Sequence, residues 1–179
     1  MNEEKFWSII EKAGAPDQCS PEDQCCLIVE SLSELSKQEL IDFENIRLQL
    51  LNKAYTWPLL KACFIVLSYV SDDVFEDFRN WTILNGMQRF YKTLKDPDFM
   101  VRYIAVEDPV EEISGEPLMM VCEEAWEGDI EELEEEYIYP SAPDIIDEWP
   151  PKEELQKEFP NLFDKFWNEE MVKKIHDPE

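Results

Sequence analysis

His176 is the only histidine in the 179 residues, so any Ser-His-Asp or Cys-His relay would have to run through it. It stands close to the last residue, where side chains are usually solvated, and no such relay is expected. The chain contains no glycine-rich phosphate loop, no G-x-S-x-G elbow and no H-E-x-x-H pair. Carboxylates number 42, far too many for any two to be picked out as an acid–base pair in a cleft. Cys19, Cys25 and Cys26 lack C-x-x-C spacing, and Cys63 and Cys122 stand alone, so the thiols read as small core residues and not as zinc ligands. No calcium loop of the D-x-[DN]-x-[DN]-G type occurs. The expectation is a protein that is not an enzyme, with no catalytic residues, metal or cofactor.

The run from Ser71 to Trp81 is the most distinctive stretch and supports two readings. In the structural one, Ser71 or Asp72 caps a helix and Phe75, Phe78 and Trp81 are core, while Arg79 pairs with Asp72, Glu76 or a neighbouring acid. In the functional one, Asp72, Asp73, Asp77 and Arg79 rim a pocket for a small ligand or a reaction.

Charge gives the stronger signal. The net charge is −26, and residues 106–150 hold 17 acids with no Lys or Arg. That field repels nucleic acid and anionic membranes and attracts basic proteins. Glu123, Glu124, Glu127 and Asp129 lead into an almost continuous run, Glu131, Glu132, Glu134, Glu135 and Glu136, broken by Leu133. Tyr137, Tyr139, Ile145, Ile146 and Trp149 stand among or just after these acids. Aromatics beside charge suit a protein interface, in which carboxylates steer encounter and Tyr137, Tyr139 and Trp149 anchor it. A solvated, solubilising surface is the plain alternative.

The elements that position these residues read as helices. Asn2, Ser20 and Ser36 are caps, with Pro21 at a first helical position and Glu39 completing a capping box. Apolar stripes recur at helical spacing: Phe6, Ile9 and Ile10; Cys25, Leu27, Ile28 and Leu32; Leu40, Phe43, Ile46 and Leu50. Leu59 to Val70 is apolar nearly all round, as in a central buried helix, and too short to span a bilayer. Phe75, Phe78, Trp81 and Leu84 continue the pattern. Leu118 to Trp126 predicts one more helix, and Lys152 to Ile175 a terminal one. With only four glycines, helices joined by short loops are favoured over hairpins. The fold class is therefore all-α: a compact, bundle-like domain with an acidic, proline-interrupted C-terminal extension. The start shows no basic, apolar leader and the five cysteines are odd in number, so a cytoplasmic location is expected.

Phe6-Trp7-x-x-Ile10, the Ser71-Asp72-Asp73-x-Phe75-x-x-Phe78-Arg79-x-Trp81 stretch, Asp96-Pro97-Asp98 and Cys122-Glu123-Glu124-Ala125-Trp126 together resemble the bacterial domain-of-unknown-function 4240 family. The resemblance covers about residues 2–127. Val74 and Asn80 stand where glycine is expected, and Met87 where a basic residue is expected. It implies a bacterial, cytoplasmic helical domain and brings no activity or catalytic residues. Residues 1–127 then form a helical core domain, and 128–179 an acidic extension whose terminal helix packs back.

The leading expectation is a binding module that neutralises a basic partner, a toxin or a nucleic-acid-binding protein. Its concrete form is an immunity protein against a bacterial toxin such as a nuclease. A DNA mimic acting on a defence or regulatory protein uses the same physics. The third reading is the small-ligand or enzymatic site around Asp72, Asp73 and Arg79. No direct nucleic-acid or membrane contact is expected. The oligomeric state is left open, although like charge opposes pairing of the acidic regions.

Overall fold

Every helix start marked by a cap in the sequence begins a helix in the computed structural model. Asn2 accepts from the Lys5 N–H and opens α1, Glu3–Lys12. Ser20 does the same for the Asp23 N–H, with Pro21 starting α2, Pro21–Leu32. At α3, Lys37–Lys53, the Glu39 carboxylate accepts from both the N–H and the hydroxyl of Ser36. Thr56 caps α4, Trp57–Leu67, and Ser71 caps α5, Asp72–Leu84. Gly86, at φ +83°, then turns the chain into α6, Met87–Lys95, a backbone geometry that other residues adopt at a cost. The structure describes residues 1–105, 109–145 and 148–176, without the side chains of 110, 111 and 174–176. Ile146 and the His176 side chain, both named from the sequence, lie outside the described residues.

The second half is built from shorter pieces. A 3-10 turn at Pro97–Arg102 precedes α7, Pro109–Glu112. The helix expected over Leu118 to Trp126 is instead a 3-10 turn, Glu116–Met119, followed by α8, Val121–Ala125. α9, Glu131–Glu134, carries the acidic run. The single terminal helix expected over Lys152 to Ile175 is three: α10, Lys152–Glu158, α11, Pro160–Phe166, and α12, Glu169–His176. Both breaks have local causes. Pro160 holds Phe159 out of the helical region (φ −126°, ψ 61°), and the Asn168 side chain caps α12 by accepting from the Glu170 and Met171 N–H groups.

α4 is the central helix, with Leu59 and every residue from Lys61 to Leu67 buried, and it packs against α5, α11 and the Pro97–Arg102 turn. Leu155, Phe159, Leu162 and Phe163 belong to the same buried cluster as Phe6, Phe43, Phe64 and Phe75. The terminal segment therefore shares one core with α1–α6. Asp98 ties it down: its buried carboxylate accepts from the side chain and N–H of Asn161 and, at 2.8 Å, from the Leu162 N–H, capping α11 from a distant part of the chain. The fold is an all-α single domain, and no strand occurs among the described residues. No described helix is long and apolar enough to cross a membrane.

Leu27, expected in the α2 stripe, is 45% exposed. Gln24 takes the inward position instead, because its amide donates to two carbonyls at helix ends, Gly14 at 2.7 Å and Leu84 at 2.8 Å.

Candidate functional site

The acidic run is pinned to the core by residues of both kinds. Trp126 lies over Gly128, where an added Cβ would meet the indole at 2.5 Å, and its Nε1 donates to the Asp129 carbonyl at 3.1 Å. Leu133 is fully buried beneath α9. Lys37 of α3 pairs with Glu132 at 3.3 Å and Glu136 at 3.7 Å. Asn45, also on α3, reaches the chain beyond α9 twice: its amide donates to the Glu136 carbonyl, and its oxygen accepts from the Ile138 N–H at 2.6 Å. A four-residue helix has no stability of its own, so these contacts hold it in place.

What remains outward is a ridge. Glu131, Glu132, Glu134, Glu135 and Glu136 are exposed, as are Glu124, Glu127 and Asp129 on its approach. Beside it, Ile130, Ile138 and Tyr139 are 42%, 65% and 69% exposed, which is uncommon for such side chains. Tyr137 is half-buried and turned inward, its hydroxyl buried with no hydrogen-bond partner among the described residues. The ring contacts of Trp149 lie elsewhere: it packs on Trp57 at 4.9 Å and Phe64 at 5.0 Å, both on α4, so the three aromatics named from the sequence do not form one patch.

Two adjoining hollows of about 400 Å³ each run along α5 and share Glu76, Met119 and Met120. The first is also lined by Asp73, Asp77 and Glu116. The second, between α3, α5 and the stretch after α9, is also lined by Glu44, Arg47, Tyr55, Arg79, Glu123, Tyr137 and Tyr139. The structure thus splits the sequence-derived pocket residues. Asp73 and Asp77 line one hollow and Arg79 the other. Ser71 caps α5, Asp72 is exposed, and Trp81 is core, stacked on Tyr103 at 5.9 Å.

Arg79 makes no ion pair among the described residues, contrary to the pairing expected with Asp72 or Glu76. Its Nε donates to the Phe75 carbonyl at 3.2 Å and its Nη1 to the Leu51 carbonyl at 3.0 Å, while its guanidinium lies over the Tyr55 and Phe75 rings. Residue 79 is one turn on from Phe75, on the buried face of α5, so the side chain follows the apolar face inward. Burial, opposed by the Glu76 charge, lowers its pKa.

Sequence reasoning missed the neighbouring network on α3. Arg47 grips Glu44 through Nε at 2.8 Å and Nη2 at 2.5 Å, and donates from Nη1 to Asn80 at 2.7 Å. Glu44 and Arg47 are each 4% exposed and Asn80 is fully buried. A signal was present: position 47 lies one turn on from Phe43 and one turn before Leu51, within the apolar stripe of α3. The Asn80 that replaces the glycine expected by family resemblance is the acceptor this arginine uses.

Asp77 has a structural task. It accepts from the Gly115 N–H at 2.6 Å and so moors the loop entering α8 against α5. Burial raises its pKa, and the Gly115 and Glu116 N–H groups oppose that rise. Gly115 approaches so closely that an added Cβ would sit 2.1 Å from the Trp81 backbone nitrogen. Gly115→Ala should therefore destabilise the fold by about 3 kcal/mol, since backbone on backbone cannot yield as a side chain does. Chemical unfolding checks this, and a loss below about 1 kcal/mol would contradict the packing described.

No group of three or more His, Cys, Asp and Glu side chains is arranged to hold a metal ion among the described residues. All five cysteines are free, and burial pushes the Cys25 thiol up to about 12, where it is a poor nucleophile.

Residues 1–128 match the family described as "Protein of unknown function (DUF4240)". No curated protein and no solved structure matches the chain.

Proposed function

The chain belongs to the DUF4240 family over residues 1–128, and we propose that it is an acidic protein-binding module that covers the basic surface of a partner. The observation that carries this reading is the mooring of the acidic run. A solubilising tail gains nothing from being held, whereas Leu133, Lys37 and Asn45 fix this one in a single pose. Pre-arranged carboxylates with exposed Ile138 and Tyr139 beside them meet a partner without the entropy cost of ordering a loop. Long-range attraction guides the encounter, and the apolar side chains hold the complex.

The basic partner is of the kind that grips phosphates, because such proteins display clustered Lys and Arg. In its concrete form the module is an inhibitor, such as an immunity protein, that occludes a toxin nuclease in the cytoplasm. Its five free thiols suit that reducing compartment.

The test is affinity capture from the native organism at low and at high salt, with the wild type and a variant carrying Gln at 131, 132, 134, 135 and 136. One basic protein, captured by the wild type, released by salt and not captured by the variant, is the expected result. Equal capture by both forms would remove the ridge from the mechanism.

A further inference from the structure

The second hollow is the feature the ridge reading leaves unused, and its charges point to the ligand. Arg47 is committed to Glu44 and Asn80, and Arg79 to two backbone carbonyls, so neither guanidinium presents a free two-pronged face to an anion. The carboxylates are in the opposite position. Glu76 and Glu123 line the same space and make no ion pair among the described residues. Three carboxylates against two guanidiniums leave the lining negative, inside a chain of net charge −26. Leu48, Leu51, Met119 and Met120 supply apolar wall, and Tyr55 and Tyr139 supply aromatic rings. An alkyl stem ending in a cation matches this lining: the stem packs on methionine and leucine while its head meets carboxylate and ring.

Resting on the ridge reading, we propose that this hollow receives one lysine or arginine side chain of the basic partner, with Glu76 and Glu123 binding its charged head. Tyr137 and Tyr139 come from the stretch directly after α9, so an entering side chain would be placed at the foot of the ridge. The state of Glu123 supports this. Burial first, then Glu134 of α9 and Glu44 of α3, raise its pKa, with Arg47 opposing. Glu76 and Arg79 of α5 share the hollow with it. A bound cation favours the ionised form, so binding weakens as pH falls through the raised Glu123 pKa.

The experiment uses the full chain with labelled methionine methyls, titrated with N-acetyl-arginine amide and with the uncharged N-acetyl-norleucine amide. The Met119 and Met120 methyl signals are expected to shift saturably with the first and much less with the second. Glu76→Gln with Glu123→Gln should weaken the arginine amide about tenfold while the remaining methyl signals keep their positions. Gln at 153 and 154, exposed on α10 and lining neither hollow, should leave that binding in place. Equal shifts with both amides, or no weakening in the Glu76→Gln, Glu123→Gln protein, would overturn the proposal. Such a failure is separate from that of the ridge, which is read from partner capture by the variant with Gln at 131, 132, 134, 135 and 136.

Discussion

Arg47→Met should unfold about 10 °C below the wild type, a loss of about 3–5 kcal/mol. The size follows from what is left behind. Glu44, 4% exposed, loses both hydrogen bonds of its only ion-pair partner among the described residues and keeps little contact with water. Asn80, fully buried, loses a donor to its amide oxygen at the same time. An uncompensated buried carboxylate costs more than the intact pair contributes, so the converse experiment is as informative. The double change Glu44→Leu with Arg47→Met should recover most of the loss, because the charge and its counter-charge leave together. Thermal and urea unfolding of the three proteins measure both effects. A single variant within about 1 kcal/mol of the wild type would show that Glu44 finds solvent or another partner.

Converting Glu131, Glu132, Glu134, Glu135 and Glu136 to Gln should slow association with the basic partner by roughly ten- to a hundredfold at low salt, with little change in dissociation. These side chains are exposed, so their attraction acts through solvent across about a Debye length and not through close contact. For the same reason the wild-type rate should fall steeply with added salt and converge on that of the variant. Tyr139→Ala should do the opposite, raising dissociation roughly 30-fold, a change of about 2 kcal/mol, with association little altered. Stopped-flow mixing separates the two. A ridge variant that dissociated faster but associated at the wild-type rate would mean that these carboxylates are contact residues and not steering ones.

Much of this was legible before the structure. Caps announce themselves through local chemistry, so Asn2, Ser20, Ser36 and Ser71 marked four helix starts. The apolar run of α4 marked the centre of the core. Local reasoning lost track where distant groups decide. Nothing near α11 shows that Asp98 caps it from more than 60 residues away. Nothing near Gly115 shows that the α5 backbone lies against it. The acids around Arg79 predict an ion pair with Asp72, Glu76 or a neighbour, yet α5 carries the side chain into the interior, where the Leu51 carbonyl is in reach. The acidic run stood out at once, but its mooring by Lys37 and Asn45 depends on α3, some 90 residues earlier.

On the proposed function, the ridge covers a surface with which the partner grips nucleic acid. The most direct measurement is a competition: the purified partner is bound to a fluorescent oligonucleotide, and this protein is titrated in. Occlusion predicts full displacement of the oligonucleotide at one equivalent, with the variant carrying Gln at 131, 132, 134, 135 and 136 needing roughly ten- to a hundredfold more protein at low salt. A stable three-component complex, with protein and oligonucleotide bound to the partner together, would contradict it.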